Sequence, residues 1–326
     1  MYIEDLKFSL WADFIERDYL DSEFRDLIAQ GIVNGATSNP AIFKNAILSS
    51  SAYKEQLAAL STLTPKQKYE AVAIYDIQKA ADILAPLYEA GDDGYVSIEV
   101  DPYLCDDAEA TIEEGKRLFA QIGRKNVMIK VPATAAGYSA MRELVGSGIP
   151  VNATLIFKME QALACAEAFG DGMAKYGSKV DTVISVFVSR VDRALDALLA
   201  KNGVSIGLSG IYNSAAIYAE VEKLEVNGCR VLFASTGVKD DSLDAHYYIE
   251  KLLAYNTINT APIETIKAFH ANGLQAAALP VEPKMIEEHF EKIRGLGIDF
   301  DAVLAKQIED GLQSFKDAFK DILESL

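Results

Sequence analysis

The chain has 326 residues, of which 50% are hydrophobic and 24% are charged, and its formal net charge at pH 7 is −17. An acidic surface repels nucleic-acid phosphates, no stretch approaches the roughly 18 apolar residues of a membrane span, and the N-terminus lacks the apolar core of a signal peptide. We therefore expect a cytoplasmic protein that binds neither nucleic acid nor membranes, as a monomer or a homodimer. No linker-like tract divides the chain, so we predict one domain over residues 1–326, with a helical C-terminal segment from about 262.

Eight short runs rich in β-branched residues predict eight strands, and longer amphipathic stretches between them predict helices. The predicted strands cover residues 8–13, 32–37, 95–101, 127–131, 150–156, 182–188, 230–235 and 255–260. The predicted helices include residues 108–122, 158–176, 191–203 and 212–228. This alternation is typical of a parallel sheet, and eight units favour an α/β (β/α)8 TIM barrel with extra helices. The alternative is an open doubly wound sheet, but its glycine-rich phosphate turn is missing from the sequence.

Within several predicted strands, one face is apolar and the other carries polar side chains toward the C-terminal end. We predict that the apolar face packs on helices and that the other points into the barrel, where active sites lie at the C-terminal mouth. The predicted outward set is Phe8, Leu10, Ala12, Val96, Ile98, Val100, Val151, Ala153, Leu155, Ile184, Val186 and Val188. The predicted inward set is Ser9, Trp11, Asp13, Ser97, Glu99, Asp101, Asn152, Thr154, Ser185 and Phe187.

Lys130 stands in the middle of the apolar run VMIKV. One interpretation is an ion pair with Glu99 or Asp13 that serves packing alone. The other is catalytic, because loss of hydration favours the neutral amine, which attacks carbonyl groups and forms an electron-withdrawing iminium. Such chemistry needs proton carriers, and Asp13 and Glu99 have suitable strand positions. The side chains that can hold hydroxyl groups or water are Thr154, Asn152 and Ser185.

An iminium also replaces a metal as electron sink, and residues that bind metals are few and widely spaced. The three cysteines have no CxxC spacing, and the three histidines have no metal-ligand spacing. We therefore predict no metal and no cofactor. These residues are Cys105, Cys165, Cys229, His246, His270 and His289.

Six motifs in chain order resemble the strand-end motifs of the transaldolase family, from about residue 9 to 260. They are GATSNPAIF (35–43), VSIEVD (96–101), IKVPAT (129–134), VNATLIF (151–157), ISVFVSR (184–190) and FASTGVKD (233–240). The resemblance implies a (β/α)8 barrel with a Schiff-base lysine on strand 4. It also implies transfer of a dihydroxyacetone unit from sedoheptulose 7-phosphate to glyceraldehyde 3-phosphate. The products would be erythrose 4-phosphate and fructose 6-phosphate, in the pentose phosphate pathway.

The same resemblance assigns roles to individual residues. Lys130 would form the Schiff base, Asp13 would take the hydroxyl proton during cleavage, and Glu99 with Thr154 would hold the catalytic water. The implied hydroxyl-binding residues are Asn39, Asn152 and Ser185, and the implied phosphate-binding residues are Arg190, Ser235 and Lys239. Lys239 stands in for an arginine that some family members carry after the strand-7 serine, and lysine binds phosphate as a point charge.

Two other functions stay open on the sequence. Fructose 6-phosphate aldolases, which are lyases of the same superfamily, carry glutamine at the position of Glu99 and tyrosine at that of Phe187. Both residues here favour the transferase, since Phe187 near the substrate lacks a hydroxyl that could protonate the carbanion. A non-catalytic barrel that only binds its ligand is the other alternative, but Lys130, Glu99, Asp13 and Thr154 are all present.

Overall fold

Eight parallel strands form a closed barrel in chain order in the computed structural model, which describes residues 1–239 and 242–326. The first strand pairs with the eighth as well as with the second. This confirms the predicted (β/α)8 barrel, and the alternative of an open sheet is wrong. The strands are β1 (Ser9–Ala12), β2 (Gly35–Thr37), β3 (Val96–Glu99), β4 (Val127–Pro132), β5 (Val151–Ile156), β6 (Thr182–Phe187), β7 (Cys229–Ala234) and β8 (Ile258–Ala261).

Fourteen α-helices are assigned in residues 1–239 and 242–326. In chain order they are α1 (Arg17–Asp21), α2 (Glu23–Ala29), α3 (Pro40–Ser49), α4 (Lys54–Ala59), α5 (Pro65–Glu89), α6 (Ala108–Ile122), α7 (Ala135–Val145), α8 (Met159–Tyr176), α9 (Ser189–Lys201), α10 (Ser209–Lys223), α11 (Tyr247–Lys251), α12 (Ile263–Asn272), α13 (Pro283–Gly295) and α14 (Phe300–Ser325). Short 3-10 turns cover Glu4–Leu6, Ser51–Tyr53 and Pro102–Leu104. No helix in the described ranges is long and apolar enough to cross a membrane.

The predicted elements differ from the observed ones mainly at their ends. Strand β8 begins at Ile258 rather than at 255, because Asn256 has a left-handed φ of 58° that interrupts an extended run. Helix α10 ends at Lys223 rather than at 228, and the chain turns through Glu225, whose φ is 48°.

Most strand residues separate onto the two faces that the alternation predicts. Asp101, which follows β3, is an exception: its predicted inward orientation is wrong, because it pairs with Lys66 on α5 and lines a cavity beside α5 and α6. The outward residues pack with the helices, whereas Trp11, Met128 and Leu232 belong to a second apolar cluster, called the inner cluster below, which continues from the strands onto α9, α13 and α14. Gly35 makes room for the indole, since a Cβ there would lie 2.6 Å from Trp11 ring atoms. The inner cluster therefore fills part of the barrel interior, and polar side chains occupy the C-terminal ends of the strands.

Leu155 departs from this pattern, and its predicted outward orientation is wrong. The pairing of β5 with β6 shifts between Ala153 and Ile156, and Leu155 has a φ of 58°. Such an extra residue in one strand turns the next side chain to the other face. Leu155 consequently joins the inner cluster, where it approaches helix α14.

Helix α14 packs against α3, α5, α9 and β5, which brings the C-terminal segment to the mouth of the barrel. Gly311 allows the close approach, because a Cβ there would lie 2.9 Å from Leu155 Cδ2 and 3.4 Å from Arg190 Nη1. The last helix therefore forms part of the surroundings of the mouth.

Candidate active site

Lys130 lies on β4 between two polar neighbours, since its Cα pairs with Glu99 on β3 and with Asn152 on β5. The residue is only 5% exposed, and its Nζ donates a hydrogen bond to the Ser38 carbonyl oxygen at 3.1 Å. Among the described residues, no carboxylate lies within 4.0 Å of this Nζ. The packing ion pair with Glu99 or Asp13 is thus not formed, and the amine is left with a neutral partner.

The amine lies in the wall of a cavity of about 230 Å³ at the C-terminal ends of the strands. This sugar-sized space, called the mouth cavity below, is lined by both charged and hydroxyl-bearing side chains. Its polar and aromatic lining is Asp13, Thr37, Asn39, Lys130, Ser185, Phe187, Arg190, Arg193, Ser235, Lys239, Thr260, Ser314 and Phe315. The FASTGVKD motif ends at Asp240, which lies outside the described residues.

Asp13 follows β1 and is held by a pair of threonines. Thr37 Oγ1 donates to Asp13 Oδ1 at 2.7 Å and lies 2.6 Å from Thr260 Oγ1. Because these threonines come from β2 and β8, both strands beside β1 fix the carboxylate. It is thereby oriented at the cavity wall, where it can accept a proton from a substrate hydroxyl.

Glu99 is only 6% exposed, and neither carboxylate oxygen has a hydrogen-bond partner in the part of the chain that the structure describes. Burial raises the pKa of its carboxyl to about 8, with Lys130 opposing the rise and Asp13 adding to it. At neutral pH this group is mostly protonated and can serve as a general acid. Its side chain lines a separate small cavity rather than the mouth cavity.

Asn152 and Ser185 form a short hydrogen-bonded chain inside the barrel. Ser185 Oγ donates to Asn152 Oδ1 at 2.7 Å, and Asn152 Nδ2 donates to Ser97 Oγ at 3.2 Å. Ser185 reaches the mouth cavity, whereas fully buried Asn152 stands behind it. Thr154 is also fully buried, and its Oγ1 has no partner among the residues described.

Asn39 caps the N-terminus of α3 while it lines the mouth cavity. Its Oδ1 accepts a hydrogen bond from Ile42 N at 3.0 Å. The cap uses the amide oxygen and leaves the amide NH2 for a ligand. A cap of this kind fixes the side chain, so Asn39 presents its donor from a defined position.

A cationic end of the cavity is formed by residues that follow β6 and β7. Arg190 lies 5.2 Å from the centroid of the Phe187 ring, and burial, reinforced by Arg193, lowers the pKa of its guanidinium. Ser189 Oγ and Ser235 Oγ are 3.0 Å apart, which ties the two strand ends together. Neither guanidinium group has an ion pair or a hydrogen bond within residues 1–239 and 242–326. Two unpaired guanidinium groups in so acidic a chain form a suitable site for an anion.

The structure brings most of the predicted site residues together at the mouth cavity, but not Glu99, Asn152 and Thr154, which lie in the barrel wall around it. It also adds residues that the sequence reasoning missed. Thr37 stands inside the quoted motif GATSNP, and Arg193 lies one helical turn after Arg190, so both had a local signal. The other additions are Thr260 on β8 and Ser314 and Phe315 on α14, and only the position of Thr260 on a strand could have suggested one of them.

Comparisons with known proteins agree with this geometry. The model of the family described as Transaldolase/Fructose-6-phosphate aldolase matches residues 10–326, so the match extends beyond the predicted limit near 260. A protein named transaldolase from Campylobacter jejuni (strain RM1221) is 44% identical over 330 residues, covering 98% of this chain and 99% of the relative. One from Helicobacter pylori (strain Shi470) is 42% identical over 320 residues, with the same coverage. The chain therefore belongs to the Transaldolase/Fructose-6-phosphate aldolase family of enzymes.

Proposed function

We propose that this enzyme moves a dihydroxyacetone unit from sedoheptulose 7-phosphate to glyceraldehyde 3-phosphate, in the pentose phosphate pathway. The observation that carries the proposal is the placement of Lys130. Its amine lines the mouth cavity, is nearly excluded from bulk solvent and has only a neutral carbonyl as partner. A lysine in such a place is a nucleophile for a ketone carbon. Location in the cytoplasm, a single domain, and a monomeric or homodimeric state stay predictions.

The residues around the amine supply the proton transfers of a class I aldol reaction. Lys130 attacks the ketone carbon, and loss of water from the resulting carbinolamine uses a proton delivered from Glu99, with Thr154 as second partner of the water. Asp13 then accepts the proton of the C4 hydroxyl as the C3–C4 bond breaks. The electron pair moves to the iminium nitrogen, an aldehyde leaves, and the enamine adds to the acceptor by the reverse steps.

The substrate's polar groups have matching partners along the cavity. Asn39 and Ser185 face the region of the three-carbon unit, and Asn152 fixes Ser185. The cationic end of the cavity suits the phosphate at the other end of the sugar. We assign the phosphate to Arg190, Arg193, Ser235 and Lys239. The segment after β7 supplies a lysine, Lys239, and no arginine. Arg193, on the helix after β6, provides the second guanidinium instead.

Release of free dihydroxyacetone is the rival outcome, because the matched family also contains fructose 6-phosphate aldolases. Two observations favour transfer. Phe187 presents a ring without a hydroxyl to the mouth cavity, so it cannot protonate the enamine carbon. Glu99 is an ionisable acid with a pKa of about 8, a property that glutamine lacks.

The reaction itself is tested by product analysis. We expect sedoheptulose 7-phosphate and glyceraldehyde 3-phosphate to give erythrose 4-phosphate and fructose 6-phosphate in equal amounts, with dihydroxyacetone only as a trace. Chromatography of the quenched mixture measures all three products. Dihydroxyacetone as the main product would assign the chain to the lyases. The absence of any product would favour the alternative of a non-catalytic barrel that only binds its ligand.

The phosphate assignment predicts selective losses. Arg190→Ala should lower kcat/KM for fructose 6-phosphate at least about tenfold, because a charge-assisted contact contributes roughly 1.5–3 kcal/mol. Arg193→Ala and Lys239→Ala should have smaller effects, about three- to tenfold, since both side chains are exposed. Unphosphorylated fructose should react equally slowly with all variants. The control is Arg294→Ala on α13, and equal losses on both sugars would contradict the assignment.

Metal independence follows from the iminium, which already withdraws electrons from the breaking bond. No group of three His, Cys, Asp or Glu side chains in the described ranges could hold a metal ion. We expect full activity after prolonged dialysis against a chelator, measured as the rate of erythrose 4-phosphate formation. Loss of activity that zinc or magnesium restores would contradict this prediction.

A further inference from the structure

A second, much smaller cavity lies beside the end of β3, between helices α5, α6 and α14. Its volume is about 10 Å³, which is about the space that one water molecule needs. Glu99 lines this cavity and does not line the mouth cavity. Its polar lining residues are Lys66, Tyr69, Glu70, Glu99, Asp101 and Glu114.

The polar atoms at the inner end of this cavity lack protein partners. Both oxygens of Glu99 are buried without a hydrogen bond, and the hydroxyl of Tyr69 has none either within the described part of the chain. Leaving a buried carboxyl without partners is costly, so a bridging water is expected between groups that are too far apart to bond directly. Tyr69 is well fixed for this task, because its ring packs edge-on against Phe43 and Phe319 at 5.9 and 5.2 Å.

The outer end of the cavity leads to solvent through an ion-pair cluster. Lys66 Nζ lies 2.7 Å from Asp101 Oδ2 and 2.9 Å from Glu114 Oε2. The side chain of Lys66 is 37% exposed, whereas those of the two carboxylates are 10% exposed. Proton-accepting groups therefore extend from Glu99 to the surface between α5 and α6.

We propose that Glu99 exchanges its proton with solvent through this rear cavity, with Tyr69 as the residue that positions the single water. The water takes a proton from the Glu99 carboxyl and passes one of its own to the Asp101 or Glu114 carboxylate, which releases it to solvent. Reprotonation runs the same steps in reverse. The proposal rests on the proposed function, since only a catalytic Glu99 changes its protonation state in each turnover.

A rear route matters because the substrate occupies the front. A sugar phosphate bound covalently to Lys130 fills the mouth cavity, and helix α14 packs beside it. Iminium formation leaves Glu99 ionised while the sugar is attached, and the rear cavity lets solvent restore its proton before the sugar is released. The titratable and charged groups that face Glu99 are Lys130 and Asp13 inside the barrel, and Tyr69, Lys66, Glu70, Glu114 and Asp101 around the rear cavity.

The test is Tyr69→Phe, which keeps the ring and removes only the hydroxyl. We expect kcat with fructose 6-phosphate and an excess of acceptor aldehyde to fall about five- to tenfold, the size of one lost hydrogen bond, and KM to stay within about twofold. The alkaline limb of the kcat–pH profile should move to higher pH, because the ionised Glu99 loses a hydrogen-bonded water. The matched control is Tyr138→Phe on α7, which should change neither quantity.

Borohydride trapping separates this inference from the proposed function. Wild type, Tyr69→Phe and Tyr138→Phe should all give the same final yield of a dihydroxyacetone adduct on Lys130. Absence of the adduct in the wild type would overturn the proposed function and this inference together. If the adduct forms, the rear route is overturned by an unchanged kcat and pH limb in Tyr69→Phe. It is also overturned by a fall in kcat without any shift of the limb, which is the result of a purely structural role.

Discussion

Replacing Lys130 by methionine should lower kcat/KM for fructose 6-phosphate by at least about four orders of magnitude, because the proposed covalent intermediate forms on its amine. Methionine has a similar length and keeps the apolar packing around the strand. The measurement is a coupled assay of aldehyde formation with a large excess of enzyme. The matched control is Lys125→Met, since this exposed lysine lies just before the same strand, and its rate should equal that of the wild type.

The stability of the Lys130→Met protein distinguishes catalysis from folding. Its Tm should equal or exceed that of the wild type, because the buried polar Nζ has only a backbone carbonyl as partner. A marked fall in Tm together with the loss of activity would show that Lys130 supports the fold. Activity near the wild-type value would contradict the Schiff-base mechanism.

Replacing Glu99 by glutamine should lower kcat by about two to three orders of magnitude, since a positioned general acid contributes roughly 10²–10⁴-fold. The protonated carboxyl, which dominates below its pKa of about 8, is the form that donates. The wild-type kcat should therefore fall as pH rises through about 8, and Glu99→Gln should lack this limb. A Glu99→Gln enzyme with the same limb would show that another group titrates there.

The same pKa also predicts how stability changes with pH. The folded protein holds a proton on Glu99 up to about pH 8, whereas an unfolded glutamate loses it near its ordinary pKa of 4.5. Between about pH 4.5 and 8 only the unfolded chain loses this proton as pH rises, which favours unfolding and lowers the stability of the wild type. The Tm of Glu99→Gln minus that of the wild type should increase over this window, and a constant difference would contradict the raised pKa.

Much of the fold could be predicted because strand and helix periodicity is a local property. Eight apolar runs with polar residues at alternate positions were enough to predict the barrel. Lys130 stood out because a charged residue is rare in a buried strand. Leu155 was assigned to the wrong face, since a local register shift leaves no trace in an alternating pattern. Helix ends were misplaced where left-handed residues such as Glu225 stop the helix without a glycine.

The parts of the site that escaped prediction depend on tertiary packing. Ser314 and Phe315 reach the mouth cavity only because α14 folds back across α3 and α9, and an amphipathic helix does not reveal which surface it will cover. Glu99 likewise lines the small cavity beside α5, α6 and α14 rather than the mouth cavity, and the alternating pattern of its strand does not reveal this. By contrast, Arg193 has a local signal in its spacing from Arg190.

If Lys130 bonds covalently to the substrate, borohydride reduction will fix the substrate on its side chain. The protein is incubated with fructose 6-phosphate and borohydride, digested, and mapped by mass spectrometry, beside Lys130→Met and Lys125→Met. We predict one reduced dihydroxyacetone adduct, located on Lys130 in the wild type and in Lys125→Met, and absent from Lys130→Met. An adduct located on other lysines, or turnover without any adduct, would rule out a Schiff base on Lys130.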